Sequence, residues 1–347
     1  MSNESPVINS TILLIYTGGT IGMVKDPETG ALRSFDFDEL LLRIPEIKLL
    51  DHEIDTISFE HPIDSSDMKI EDYLQIAALI ETYYDQYDGF VILHGSDTMS
   101  YTASALSFML ENLKKPIIFT GSQLPIGDLR TDAKENLITS IQLAGLKDRG
   151  RSVINEVGLY FEYKLYRANR TTKINAEHFE AFASLNYPAL AESGVHLSIN
   201  HPALFIPNRR KKLRVHKKLD QRIVVIKMFP GLTPEVFDAM ISAESLKGII
   251  LETYGSGNTT TAEWFITKIK ECIKNNIPVV NVTQCSGGSV AMGQYETSVQ
   301  LKRIGVINGK DITTEAALGK MMHLLSNLED RERFKQMFET SLRGEMS

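Results

Sequence analysis

The chain alternates short apolar runs with longer stretches in which apolar residues recur every three or four positions. Residues 12–16 (ILLIY), 90–93 (FVIL) and 116–119 (PIIF) read as strands, since continuous apolar runs bounded by turn residues fit buried strands. Residues 56–59 add another. Residues 70–84 place Tyr73, Ile76, Ile80 and Tyr84 at helical spacing, and residues 98–113 do the same with Ala103, Leu106, Met109 and Leu110. Residues 132–146 form a third helix candidate. Strand, helix, strand, helix implies a parallel sheet with right-handed crossovers.

The pattern breaks at residues 202–218 and then resumes. Residues 223–226 (IVVI), 249–251 (IIL) and 278–282 (PVVNV) read as strands, and 234–242, 261–275, 314–325 and 329–340 as helices. The fold class is therefore α/β. The expected division is an N-terminal domain over residues 1–205, a linker over 206–219 and a C-terminal domain over 220–347. A chain of 347 residues with 43% apolar composition is long enough for two cores.

Charge narrows the partners. The net charge is -7, from 37 basic and 44 acidic residues, which argues against a dedicated nucleic-acid binder. Residues 208–218 (NRRKKLRVHKK) are strongly basic, but the flanking sequence has no interleaved aromatics. The run reads as a solvated linker or edge strand rather than a nucleic-acid patch. Two cysteines, Cys272 and Cys285, exclude a disulfide scaffold and fit a reducing cytosol. The N-terminus has neither the basic nor the apolar region of a secretory signal. No apolar run approaches the ~18 residues of a membrane span. A cytoplasmic protein without membrane or nucleic-acid partners is expected.

Four polar clusters fall where strands end: residues 17–22 (TGGTIG), 64–68 (DSSDM), 94–99 (HGSDTM) and 254–258 (YGSGN). In open parallel sheets that edge is where ligands bind. Hydroxyls and carboxylates gathered there suit a small polar ligand. Paired glycines let the first turn approach a ligand closely and leave Thr17 and Thr20 as hydroxyls. The turn lacks the Lys of GxxxxGK[ST] and the spacing of GxGxxG. DSSDM also fits an N-cap, as do Ser96 and Asp97, and His94 reads as a buried structural histidine. There is no HExxH, no CxxC and no GxSxG, so no metal, no cofactor and no elbow serine are expected. Cys285 reads as an inert thiol. What remains is a threonine nucleophile with no obvious histidine base. Backbone N–H groups of the glycine turn are suited to a developing oxyanion, and a lysine is the other candidate base. Burial lowers a lysine pKa and a neighbouring aspartate raises it.

These motifs, in this order, resemble the bacterial-type L-asparaginases, most closely the type I (cytoplasmic) branch. The resemblance spans nearly the whole chain, through YTGGTIGM, DSSDM, GFVILHGSDTMSYTASALSFMLENL, TGSQLP, YRANRTTK, YGSGN, NVTQC and LRGE. It implies a larger N-terminal, mostly parallel sheet flanked by helices and a smaller C-terminal α/β domain. It also implies self-association as a dimer or dimer of dimers (a homotetramer). The implied reaction is hydrolysis of L-asparagine to L-aspartate and ammonia through an acyl-threonine. The implied catalytic residues are Thr20, Ser96, Asp97 and Lys173. Asp64, Ser65, Ser66, Ser96 and Asp97 fall on substrate-binding positions, and Asn258 on a residue lent by the partner subunit.

Three departures matter. Ser96 stands where the family usually has threonine. No tyrosine lies between Tyr16 and Tyr73, where many members carry a lid tyrosine; Ala31 follows Gly30 there. Thr172, Thr283, Gln284 and Cys285 match a regulatory asparagine site of some type I enzymes, but Glu252 replaces an arginine. A carboxylate does not hold a carboxylate as arginine does, so weak or absent asparagine activation is expected. The alternatives to an asparaginase are a non-catalytic asparagine sensor and the asparaginase-like subunit of a tRNA-dependent amidotransferase.

Overall fold

The computed structural model describes residues 10–25, 32–34, 44–294, 296–328 and 330–347. Gly30 and Ala31, the positions that bear on the lid tyrosine, lie outside the described residues. So does Glu329, the expected start of the last helix. The chain divides into two compact units, Met1–Val215 and His216–Ser347.

The first unit is built on β1 (Ser10–Gly18), β2 (His52–Ile63), α1 (Ile70–Tyr83), β3 (Gly89–Leu93), α2 (Met99–Met109), β4 (Ile117–Thr120), α3 (Ala133–Gly145), β5 (Val157–Phe161) and β6 (Lys164–Arg167). The hairpin of β7 (Thr172–Lys173) and β8 (Phe182–Ala183) follows, then β9 (Ala191–Ser193) and β10 (Leu197–Ile199). The main sheet runs β10-β9-β6-β5-β4-β3-β1-β2. Pairing is parallel from β2 through β5 and antiparallel from β5 to β10. Ile12–Ile15 on β1 and Phe90–Leu93 on β3 are fully buried, as continuous apolar strands between neighbours must be. The sequence pattern gives β1 to β4 and misses β5, whose apolar run is interrupted by Gly158. The antiparallel edge escapes it too, because its strands KLYR, AES and LSI are short and mix in charged or polar residues, so they form no apolar run.

The helix expected over 98–113 ends at Met109. Leu110–Glu111 leave it to pair antiparallel with Arg214–Val215 of the basic run, and Asn112 adopts a φ of 64°. The apolar spacing continues past the helix end because Leu110 and Leu113 stay buried in the new strand and turn.

The second unit is a four-stranded parallel sheet, β11 (Ile223–Lys227), β12 (Gly248–Thr253), β13 (Val279–Thr283) and β14 (Ile307–Asn308), in chain order. Its helices are α4 (Pro234–Ile241), α5 (Glu263–Lys274), α6 (Glu296–Ile304), α7 (Thr314–Asn327) and α8 (Phe334–Glu339). Side chains alternate between two faces. Ile250, Val280 and Val282 pack with Ala317, Met321 and Leu324 of α7, while Ile249, Leu251 and Val279 pack with Phe237 of α4 and Phe265 of α5. This is the smaller α/β domain of the expected fold class.

Candidate active site

In the first unit the strand order β2-β1-β3-β4-β5 reverses direction at β1. The crevice beyond the carboxyl ends of β1 and β3 is therefore a topological switch point, where open α/β sheets place ligands. TGGTIG leaves β1 at that point and HGSDTM leaves β3.

Backbone approach holds the turns together. Gly19 has a φ of 90°, and a Cβ there would lie 2.5 Å from the Cα of Gly95. A Cβ on Gly95 would in turn lie 2.5 Å from Ser65 Oγ. Only glycine fits at either position. The residue beside Thr20, the residue before Ser96 and the serine after Asp64 thus meet at one point. Two hydroxyls secure the join: Thr17 Oγ1 donates to the Leu93 carbonyl at 2.9 Å, and Thr98 Oγ1 to that of Ser65 at 2.6 Å. Thr17 and Thr20 therefore part company. Thr17 is buried and committed to the sheet. Thr20 opens a short 3-10 turn, is partly exposed, and makes no side-chain hydrogen bond among the described residues.

Lys173 comes from β7, 77 residues beyond Ser96, and its Nζ donates to Ser96 Oγ at 2.9 Å and to Asp97 Oδ1 at 2.7 Å. The Lys173 side chain is 17% exposed and that of Asp97 is 65% exposed. Asp64 is exposed and accepts from the N–H and the hydroxyl of Ser66, which hold its carboxyl below the usual range. Asp64 caps its own 3-10 turn, not the helix that follows.

Gln123 lies in TGSQLP, just past the end of β4. Ser96 Oγ donates to Gln123 Oε1 at 3.1 Å, while Gln123 Nε2 donates to the carbonyls of Ala176 and His178. Those carbonyls only accept, so the amide cannot be turned over, and the Ser96 proton is directed at Gln123. Gln123 is itself fixed by Asp132, whose carboxylate accepts from the N–H groups of Gln123 and Leu124. Burial pushes the Asp132 carboxyl up, partly offset by those bonds. The only available signal for Gln123 is its place just past the end of β4, at the same sheet edge. In YRANRTTK the first arginine is scaffold. Arg167 pairs with buried Glu156 at 2.5 Å and lies over the Tyr187 ring.

The second unit carries the remaining positions. Tyr254 and Asn258 exchange backbone hydrogen bonds at 2.8 Å across YGSGN. Asn281 Nδ2 donates to the Gly257 carbonyl and Thr283 Oγ1 to that of Gly255. Gln284 Nε2 donates to the carbonyls of Met228 and Glu252, and the Glu252 carboxylate accepts from Thr314 Oγ1 at 2.6 Å. Cys285 is exposed and donates its N–H to Thr283 Oγ1. Glu252, Thr283, Gln284 and Cys285 thus gather at the ends of β12 and β13, whereas Thr172 belongs to β7 of the first unit. Among the described residues no group of three or more His, Cys, Asp or Glu is placed to hold a metal.

Two α/β units, with a lysine held between a hydroxyl and a carboxylate at the strand ends of the first, fit an amidohydrolase. Residues 11–204 match the asparaginase N-terminal domain and residues 222–338 the glutaminase/asparaginase C-terminal domain; the chain belongs to the asparaginase family. It is 43% identical to L-asparaginase 1 of Escherichia coli over 339 residues, covering 97% of this chain and 98% of that protein. The crystal structure of L-asparaginase I from Vibrio cholerae matches with a TM-score of 0.88 at 39% identity, covering 98% of this chain and 99% of that one. The thermostable L-asparaginase from Thermococcus kodakarensis matches at 0.87 and 32% identity, covering 97% and 99%. The resemblance to the type I branch, read from the motifs, is borne out.

Proposed function

We propose that this chain hydrolyses L-asparagine to L-aspartate and ammonia, with Thr20 as nucleophile. The observation that carries the reading is the grip of Ser96 Oγ and Asp97 Oδ1 on Lys173 Nζ, beside the Gly19–Gly95 contact that leads to Thr20. Thr20 Oγ adds to the side-chain amide carbon. Its proton passes through the Ser96–Lys173 pair to the amide nitrogen, the C–N bond breaks, and ammonia leaves an acyl-threonine. Water then adds to the acyl carbon, the ester bond breaks and the proton returns to Thr20. Backbone N–H groups of the glycine turn face the oxyanion in both halves.

In this reading Asp64 and Asp97 hold the substrate ammonium, and Ser65, Ser66 and Ser96 its α-carboxylate. Asn258 reaches the site of a partner subunit, in a dimer or dimer of dimers. The domains run 1–205 and 220–347 around a 206–219 linker, and the protein works in the cytoplasm. Thr20→Ala abolishes ammonia release while the melting temperature stays within about 2 °C; wild-type turnover from that variant overturns the nucleophile assignment. Thr172, Glu252, Thr283, Gln284 and Cys285 fall on positions of a regulatory asparagine site in the resemblance, and Glu252 does not hold a carboxylate as the arginine it replaces would. Velocity is therefore hyperbolic in asparagine, and a Hill coefficient near two sinks this part.

A further inference from the structure

His94 closes the polar end of β3, one residue before Gly95, and the reaction scheme leaves it unused. It is fully buried. Its Nδ1 lies 2.7 Å from the Gly95 carbonyl oxygen. A carbonyl oxygen only accepts, so Nδ1 carries the proton. Its Nε2 is also buried and meets no hydrogen-bond partner, and the nearby Phe119 ring, with centroids 5.9 Å apart, offers none. A proton on Nε2 would be stranded there. Burial, opposed by the bond to Gly95, pushes the imidazole pKa down to about 4. The ring is therefore neutral at working pH. Its backbone is fixed as well, by an N–H bond to the Thr120 carbonyl at 2.9 Å.

The peptide it holds is the one on which the site depends. Gly95 packs on Gly19 and Ser65, and Ser96 and Asp97 follow directly. Glycine restrains its own dihedrals least of all residues, so this peptide needs an outside hold. A peptide unit is planar, so fixing the Gly95 carbonyl also fixes the N–H and Cα of Ser96. We propose that His94 is a positioning residue: its Nδ1–H tautomer locks the Gly95 carbonyl and so aims Ser96 and Asp97 at Lys173. This inference rests on the reading that those three groups serve the Thr20 reaction.

Two measurements test it. Spectra of the 15N-histidine-labelled protein, with the His94 signal assigned by its loss in His94→Asn, show the neutral Nδ1–H tautomer throughout pH 6–8.5. An Nε2–H tautomer or an imidazolium overturns the proposal. In the ammonia assay, His94→Asn retains a donor at the place of Nδ1 and keeps kcat within about fivefold of wild type. His94→Leu has no donor and loses about thirtyfold or more in kcat, the scale expected from a small misplacement of reacting groups, with KM raised as well because Ser96 and Asp97 also bind the substrate. Equal losses in the two variants, or wild-type kcat in His94→Leu, overturn it. If His94→Leu does not fold, the tautomer and His94→Asn decide. Should the wild type release no ammonia, the asparaginase reading fails by itself and the tautomer measurement still judges the clamp.

Discussion

The two units each contain a lysine bound to a carboxylate, and the pairs differ in almost everything except chemistry. In the first unit Lys173 and Asp97 meet at 2.7 Å with the aspartate 65% exposed. In the second, Lys320 and Glu345 meet at 2.5 Å with both side chains at 0% exposure. Lys320 Nζ also donates to the carbonyls of Phe338 and Thr340, and Glu345 accepts from the N–H groups of Leu342 and Arg343. Burial alone would push Glu345 up, but Lys320 and those N–H groups hold it below its ordinary value. Every valence of this pair is spent on clasping the chain terminus to α7. Lys173 shares its protons between a hydroxyl and a solvent-facing carboxylate, a set that a substrate can rearrange. On the proposed mechanism, the difference is that the first pair can exchange its partners and the second cannot.

Removing each lysine should break the comparison in opposite ways. Lys173→Met lowers kcat about a hundred- to ten-thousandfold, the range for losing a proton-transfer group, while stability moves by no more than about 1 kcal/mol because the aspartate left behind faces solvent. Lys320→Met leaves turnover per folded molecule unchanged but costs about 3–5 kcal/mol, since Glu345 stays buried without its cation. Adding Glu345→Gln restores part of that loss, because glutamine still accepts from Leu342 and Arg343. Steady-state kinetics and urea melts on the same preparations check both. A Lys320→Met protein as stable as wild type would erase the contrast.

Gln123 sharpens the exposed side of the comparison. It fixes where the Ser96 proton points, so Gln123→Met frees that hydroxyl and lowers kcat about tenfold, near 1.4 kcal/mol, with little change in melting temperature. Unchanged kcat would mean that Lys173 alone orients Ser96.

Glu162 supplies the third case, a carboxylate with no ion-pair partner among the described residues. Burial first, then the charges of Asp132, Glu135 and Glu180, push its pKa up to about 7. Between the ordinary carboxylate range and about pH 7 the folded state holds this proton more tightly than the unfolded chain. Stability therefore falls as pH rises through that window. Glu162→Gln removes the penalty, raising the melting temperature by about 1–3 °C at pH 8 and by less at pH 5. The partial exposure of Glu162 keeps the effect the smallest of the series.

The site was legible where chemistry coincides with punctuation. TGGTIG and HGSDTM follow apolar runs at once, so their place at a strand-end crevice could be read from spacing. Lys173 was legible only through the motif YRANRTTK, because a two-residue strand has no period to detect. Gln123 and the Nδ1 of His94 act through the direction of a hydrogen bond, which no one-dimensional pattern encodes. The second unit's LRGE carried family resemblance without function: Glu345 is a clasp. Helix α6 went unseen because its mean hydropathy is low and few of its nine residues are apolar.

The position of β1 between β2 and β3 has a consequence during synthesis. The apolar ribbon Ile12–Ile15 leaves the ribosome with neither neighbour made, and its second flank is complete only when Leu93 emerges. At about 5–20 residues per second, the intervening stretch of about 75 residues keeps a bare β-edge waiting for roughly 4–15 s. During that interval the ribbon is an unpaired apolar edge, whatever the stability of the finished fold.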